Sequence, residues 1–465
     1  MRYLSDSGAG SVTGRTRIAQ GAVAIPDQKR HSAVDHAALT LAPLLDLLVN
    51  YERTRPDKRL WDLATMRLQL ARLDLPAAPR PAVQVGGSKG KGTTCAFLAG
   101  LVQAGQGVAG VYTSPHTTTL LERIRCGDQQ VDLATLDRLL RRVLAVPTGE
   151  RALTFFEAMT LCAANWFAER RVDLAIYEVG LGGRHDATTA LPVDAGIVTM
   201  IELEHTDVLG DTIGAIAAEK APVIRAGGIG FTGTTGEALA VVRAHAEQVG
   251  APLFVLGEQF GWRPMLWSDE GCRSTLWLPD GRELPVYLPG ARAFEMPALA
   301  LAVATLARLM PDLPLQLDPA PRPTLPCRFE ILREADGEVL VLDGAHTEQS
   351  LALVAAELAR RWPLRRCAVL FGSATGKRWR EGLSALLPIA DRFVVTEISG
   401  TASEDPAAIA AFAASLGVAS EVATDVEHAL AALRRGPGPR LVAGSFYLAG
   451  QVRELVTAAA RLDRP

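Results

Sequence analysis

The sequence is short of cysteines that could act together. Its 465 residues contain six, at positions 95, 126, 162, 272, 327 and 367, with no CxxC pair and none within ten residues of another. This excludes a zinc ribbon or a CxxC redox centre and fits a reduced protein with unpaired thiols. Neither sign of charge is in excess: 48 Lys and Arg face 51 Asp and Glu, a net charge of -3. The whole-chain basic footprint of a nucleic-acid binder is therefore missing. Long hydrophobic runs are missing as well. The longest stretch without Asp, Glu, Lys or Arg lies between Lys91 and Glu122, and Gln103, Gln106, Ser114, Pro115 and several Thr and Gly interrupt it. A spanning helix needs about 20 predominantly apolar residues, so no membrane segment is expected. Residues 1–17 carry no apolar run, which predicts a protein without a secretory leader, in the cytoplasm. No internal repeat is visible.

What is present is globular. Hydrophobic residues make up 48% and charged residues 21% of the chain, enough for a large core without staples. At about 150 residues per domain the length predicts two or three domains. Residues 1–35 are rich in Ser, Gly and Arg and read as a loosely ordered extension. A helical amphipathic pattern runs from Leu44 to about Leu73, with a polar break at Tyr51–Lys58. From Pro81 the pattern becomes α/β. Apolar runs at Pro81–Val85, Val172–Tyr177 and Ala195–Met200 read as parallel strands covered on both faces, alternating with helices. Six prolines crowd residues 311–326, which read as a stiff linker. Beyond it strands recur at Glu338–Leu342, Cys367–Leu370, Arg392–Val395 and Arg440–Val442.

Chemistry concentrates where these strands end. Gly86-Gly87-Ser88-Lys89-Gly90-Lys91-Gly92-Thr93-Thr94 follows one strand and opens a helix. Glycines there let backbone amides close around phosphate oxygens, the helix N-terminus favours the anion, and a lysine reaches the terminal phosphates. The match to GxxxxGK[ST] is not strict, because Val85 holds the first Gly position and Gly92 separates Lys91 from Thr93. Glu178 ends the next strand and is placed to hold Mg²⁺ beside such a loop, although a Glu there is often a solvated boundary residue. His205 follows the third strand. Lys220, in AAEKAPVI, reads by itself as a solvated helix lysine. Asp343 and His346 end a strand in the C-terminal part, where an acidic group contacts a ribose hydroxyl or merely caps a turn.

Together these motifs resemble one family, the folylpolyglutamate synthase/dihydrofolate synthase branch of the Mur-type ATP-dependent amide ligases. The resemblance runs from about Leu47 to Leu455. It rests on GSKGKGTT, YTSPH (Tyr112–His116), ERIR (Glu122–Arg125), TFFEAMT (Thr154–Thr160) and YEVGLGGRHDAT (Tyr177–Thr188). EHTDVLGDT (Glu204–Thr212), EKAPVI (Glu219–Ile224), LPGARAFE (Leu288–Glu295), PCRFE (Pro326–Glu330), DGAH and GSFYLAGQVREL (Gly444–Leu455) complete it.

The resemblance implies an α/β fold: a P-loop-containing, Mur-ligase-like central domain plus a smaller C-terminal Rossmann-like α/β domain. The chain would then divide into an extension (1–35), an ATP- and Mg²⁺-binding ligase domain (36–310), the proline-rich linker (311–326) and the C-terminal domain (327–465). By the same resemblance Gly87, Ser88, Lys89, Gly90, Lys91, Gly92, Thr93 and Thr94 hold the ATP phosphates. Arg328, Asp343 and His346 reach the nucleotide from the far domain. Ser114, Glu178, His205 and a carbamylated Lys220 hold two Mg²⁺ ions, and Lys91, Glu178, His205 and Lys220 carry catalysis. The implied substrates are a folate-type carboxylate, L-glutamate and ATP. The sequence itself shows no oligomerisation feature, so a monomer is expected, and one that binds neither nucleic acid nor membrane. The chain departs from the family pattern in Lys89 for Asn, Glu204 for Asp, Thr189 for Asn, Arg292, Ala293 and Met296 within HQxxN, Thr347 and Glu348 for Asn-Pro, and Leu120 or Leu121 for an aromatic. Two alternatives stand beside the folate reading: the same ligation on a non-folate carboxylate, and a nucleotide-binding homologue that has lost catalysis.

Overall fold

Apolar runs bounded by glycine-rich turns build three sheets. The computed structural model describes residues 36–50, 62–73, 80–149, 151–268, 270–322 and 325–462. The expected extension 1–35 and the polar break Tyr51–Lys58 lie outside them. A helix at Ala64–Arg72 falls within the expected Leu44–Leu73 pattern, whereas the helix His36–Leu45 lies almost wholly ahead of it.

The first sheet contains β1 (Ala82–Gly86), β2 (Ala109–Tyr112), β3 (Ile124–Cys126), β4 (Gln129–Gln130), β5 (Leu174–Glu178), β6 (Ala195–Val198), β7 (Ile229–Thr232) and β8 (Leu253–Val255). Their order is β4-β3-β2-β5-β1-β6-β7-β8, parallel from β2 to β8 and antiparallel at β2-β3-β4. All five residues of β1 and of β5 are buried, as expected for strands covered on both faces. The chain leaves β1 for β2, returns to β5 beside β1, and passes to β6 on the other side. That reversal is the place in an open α/β sheet where a crevice opens at the strand C-termini. Register sets Glu178 opposite Val85 and Val198 opposite Gly86, so the ends of β5 and β6 flank the loop that leaves β1.

The helix after that loop, Lys91–Ala104, buries Phe97, Leu98 and Leu101 in the same core as Leu299, Val303 and Leu306 of the helix Met296–Leu309. Each such side chain contributes roughly 1.5–3 kcal/mol. This packing fixes the axis of the helix whose N-terminus faces the crevice.

A second sheet is absent from the sequence reading. It comprises β9 (Gly261–Trp262), β10 (Leu266–Ser268), β11 (Gly271–Trp277) and β12 (Glu283–Pro289), paired antiparallel. The proline-rich run lies along it. Leu317 and Ala320 are buried, Tyr287 N–H donates to Leu317 O at 2.9 Å and Ala320 N–H donates to Tyr287 O at 2.7 Å. Residues 311–322 are thus a bound strap.

The third sheet contains β13 (Glu330–Arg333), β14 (Val339–Leu342), β15 (Cys367–Phe371), β16 (Ala390–Val395), β17 (Ala419–Val422) and β18 (Arg440–Ala443). The order is β13-β14-β18-β15-β16-β17, parallel except at the β13 edge. All described residues belong to one compact unit, Ala33–Pro465. The six cysteines are free and buried, and no described helix is long and apolar enough to cross a membrane.

Candidate active site

The loop after β1 is built around Thr199, just beyond β6. Thr199 Oγ1 lies 2.6 Å from Lys89 O and 3.2 Å from Gly86 O. Ser88 N–H donates to Met200 O at 2.6 Å. Gly87 sits at φ 134°, and a Cβ there would fall 2.0 Å from Thr199 Oγ1. No side chain fits, so the loop needs glycine for space as well as for conformation. Gly90, at φ 85°, precedes the helix without any side-chain cap. The first helical amides are therefore left for a ligand, and a phosphate suits them.

The loop side chains divide into two groups. Lys91 Nζ donates to Gly87 O at 3.0 Å and Ser88 O at 3.2 Å, so its ammonium lies over the loop backbone. Thr93 is partly accessible. Ser88 and Thr94 turn into the fold: Ser88 Oγ accepts from Glu202 N–H at 3.0 Å, and Thr94 Oγ1 donates to Gly90 O at 2.9 Å. Their backbone amides are spent as well, Ser88 N–H on Met200 O and Thr94 N–H on Gly90 O at 2.9 Å, so the phosphate is left to the other residues of the loop.

Glu178 ends β5 with its carboxylate buried and accepts Ser114 N–H at 3.1 Å. Burial pushes its pKa up, against the pull of Lys91. A Cβ on Gly92 would lie 3.6 Å from Glu178 Oε1, so the carboxylate abuts the helix start. A buried carboxylate left short of cations suits a bound metal ion. Ser114, Glu178 and Thr93 offer oxygens and His205 a nitrogen, a donor set that fits a hard divalent cation keeping several waters. Among the described residues no three His, Cys, Asp or Glu side chains gather as a metal cluster; such a site would rest on hydroxyls and water as well.

His205 lies seven positions beyond the end of β6, in the left-handed region at φ 48°. It opens onto the cleft. The surrounding walls lower its pKa to about 4 despite Glu204, and Lys377, Lys220 and Lys91 add to the lowering. The imidazole is held neutral, the form that binds metal.

Lys220 is the clearest departure from its isolated reading as a solvated lysine. It ends the helix Ile213–Lys220 with a side chain 3% exposed. Its Nζ donates to Gly87 O at 2.9 Å and to Glu204 Oε1 at 3.1 Å. Burial, then Lys91, lower its pKa to about 8. Lys89 Nζ lies 3.7 Å from the other Glu204 oxygen. Burial works against the Glu204 carboxylate, but Lys91, Lys220 and Lys89 outweigh it and set the pKa at about 2. Glu204 is thus an anion shared by three lysines behind and beside the loop.

The third sheet faces this group across a cleft. Asp343 is buried and its carboxylate accepts Phe329 N–H at 2.6 Å and Ala345 N–H at 2.7 Å, so it organises its own turn. Arg328 stacks on Phe446 at 4.4 Å, and its charge reaches Glu178. His346, its pKa lowered to about 3 chiefly by burial, borders the cleft and hydrogen-bonds Gly344 O through Nδ1. Thr347 Oγ1 donates across the cleft to Glu202 Oε2 at 3.4 Å.

Between the two sheets lies a cavity of about 520 Å³. Ser114, Pro115, Phe156, Leu181 and His205 line one side, and His346, Lys377, Phe446 and Tyr447 the other. Sequence reasoning missed Thr199, Lys377 and the group behind the GLGG turn in which half-buried Arg225 links buried Gln84 and buried Asp186. Asp186 accepts Gly180 N–H at 2.9 Å and Leu181 N–H at 3.2 Å, which fixes that turn at the cavity edge.

Residues 327–445 match the Mur ligase, glutamate ligase domain family. The chain is 34% identical over 390 residues to a probable bifunctional folylpolyglutamate synthase/dihydropteroate synthase of Halobacterium salinarum, covering 80% of this chain and 46% of that protein. It thus spans about half the length of the curated relatives it matches first. The Escherichia coli FolC structure in complex with DHPP and ADP superposes with a TM-score of 0.79 at 26% identity, covering 93% of this chain and 100% of that one. A bifunctional folylpolyglutamate synthase/dihydrofolate synthase with Mn, AMPPNP and L-glutamate bound superposes with a TM-score of 0.77 at 27% identity, covering 92% and 99%. With the phosphate loop, the Glu178 carboxylate and the two-sheet cleft in place, the chain belongs to the folylpolyglutamate synthase/dihydrofolate synthase family of Mur-type ligases.

Proposed function

We propose that the protein is an ATP-dependent ligase that activates a folate carboxylate as an acyl phosphate and joins it to L-glutamate, with dihydropteroate as a second acceptor. The observation that carries this is the meeting of three groups in one cleft: the uncapped phosphate loop, the buried Glu178 carboxylate, and a part-aromatic cavity between the two sheets. A carboxylate is a poor electrophile, and phosphorylation gives it a leaving group. The carboxylate oxygen attacks the terminal phosphorus of ATP and ADP departs. The amine of glutamate then adds to the acyl carbon, and the oxygen leaves with phosphate.

In this reading the loop 87–94 and the Lys91 ammonium hold the phosphates, and Lys89 adds a second cation. Ser114, Glu178 and His205 would hold Mg²⁺, which supplies charge neutralisation on the transferred phosphoryl group when bound. Lys220 is the candidate for carbamylation, which would replace a cation by oxygen ligands; its buried, partly neutralised amine supports that. Arg328, Asp343 and His346 close over the nucleotide and exclude water, to which acyl phosphates are labile. Residues 36–310 would carry nucleotide and metal, 327–465 would close the cleft, and 311–326 would tie them together, in a cytoplasmic monomer.

The test is ADP release with tetrahydrofolate or dihydropteroate plus L-glutamate. Glutamate-dependent turnover with either acceptor is expected; turnover with neither refutes the folate reading. Lys220→Ala should abolish activity, and intact-mass analysis in bicarbonate should detect the carbamate on wild type alone.

A further inference from the structure

Glu202 is a carboxylate at the seam of the cleft that the assigned machinery does not use. Its backbone is tied to the phosphate loop, where Ser88 Oγ accepts Glu202 N–H at 3.0 Å. Its side chain reaches the other way and accepts Thr347 Oγ1 at 3.4 Å. Thr347 follows His346, which lines the cavity. None of residues 86–94 lines that cavity, so phosphates gathered by the loop and an acceptor held in the cavity meet at this seam. The acyl phosphate forms where they meet, and the incoming amine must reach it there. Met200 and Leu203 beside Glu202 are 39% and 47% exposed, so this stretch borders open space rather than core. Glu202 itself is 5% exposed, yet among the described residues no Lys, Arg or His nitrogen comes within 4.0 Å of its carboxylate. Lys89 pairs with Glu204 instead, at 3.7 Å. The carboxylates of the cavity wall are otherwise accounted for. Glu157 forms a two-pronged ion pair with Arg151, at 2.6 and 2.8 Å. Asp186 holds the backbone of its own turn, and Asp62 and Asp207 are exposed to water. Burial raises the Glu202 pKa above the ordinary carboxylate value, with Lys89 pulling against it and Glu204 adding to it. A carboxylate raised in this way is a better proton acceptor near neutral pH.

We propose that Glu202 takes up the ammonium group of the incoming amino acid and accepts its proton as the amine attacks the acyl phosphate. This rests on the ligase reading above. An ammonium group has no lone pair and cannot attack. One proton passes to the Glu202 carboxylate, and the freed lone pair forms the C–N bond to the acyl carbon. The C–O bond to phosphate then breaks, and phosphate departs with that electron pair and the second amine proton. A charge-assisted hydrogen bond holds the ammonium before the transfer. Because the phosphoryl transfer precedes this step, Glu202 serves the second half of the reaction.

The experiment compares wild type, Glu202→Gln and Glu202→Asp with ATP and the pterin acceptor, using either L-glutamate or hydroxylamine as the nucleophile. Hydroxylamine is largely a free base at neutral pH, so it captures an acyl phosphate as the hydroxamate without a proton acceptor. Glu202→Gln should lower ADP release with L-glutamate at least about 100-fold, and hydroxamate formation by less than about 3-fold. Glu202→Asp, which keeps the charge, should lose less than Glu202→Gln with L-glutamate. Equal losses with the two nucleophiles would show that Glu202 only props the phosphate loop. That result, or an undiminished rate with L-glutamate, overturns the proposal and leaves the ligase reading intact. A wild type that turns over glutamate but forms no hydroxamate overturns the proposal alone. A wild type without glutamate-dependent ADP release overturns both.

Discussion

Thr199→Val should weaken ATP binding while leaving the fold intact. The side chain is 4% exposed, and its hydroxyl lies 2.6 Å from Lys89 O and 3.2 Å from Gly86 O. A hydroxyl has one proton, so the shorter contact is the principal bond. Valine has nearly the same shape and fills the same space beside Gly87, but it leaves the Lys89 carbonyl unsatisfied in the loop. A stranded buried acceptor costs about 1–3 kcal/mol. If that cost falls on the loop conformation that binds phosphate, affinity drops about 5- to 150-fold, a factor of ten for each ~1.4 kcal/mol. Calorimetric titration with a non-hydrolysable ATP analogue and Mg²⁺ measures it directly. Thr199→Ser, which keeps the oxygen, should bind within about 3-fold of wild type. Equal affinity of the valine variant and wild type would refute the reasoning, as would an equal loss in the serine variant.

Two other substitutions separate chemistry from stability. Glu178→Gln preserves shape and removes the negative charge at the candidate metal site. ADP release should fall by at least about 100-fold and the Mg²⁺ requirement should move to higher concentration; an unchanged Mg²⁺ titration would contradict the assignment. Arg440, 2% exposed, pairs with Glu334 and, at 2.6 Å, with Asp336. Arg440→Met leaves buried Glu334 to Arg434 alone, which should cost about 3 kcal/mol and lower Tm by several degrees, with glutamate-dependent activity at 25 °C unaffected. An unshifted melting curve would show the pair to be energetically neutral.

The legible parts of the molecule were those whose physics is local. A glycine-rich turn between a buried strand and a helix marks a phosphate loop, because both the glycine conformations and the open helix amides are written in adjacent residues. Glu178 was readable because an apolar run stops at it. Thr199 carried no such signal: its importance comes from register, which sets β6 beside β1 and brings a hydroxyl under the loop 110 residues earlier in the chain. Lys220 reads as a surface lysine until the helix packs it against Gly87 O and Glu204. Ser88 and Thr94 look like phosphate hydroxyls in the motif, but tertiary contacts with Glu202 and the preceding turn consume them. The antiparallel sheet escaped notice because its strands are short, and its clearest alternation is confined to Val286 and Leu288 of β12.

The central claim is that the acceptor carboxylate is phosphorylated before the amine attacks. An acceptor whose carboxylate carries ¹⁸O tests it in one turnover with ATP and L-glutamate. The acyl-phosphate route predicts inorganic phosphate bearing one labelled oxygen from that carboxylate. Unlabelled phosphate formed alongside the glutamylated product would contradict it.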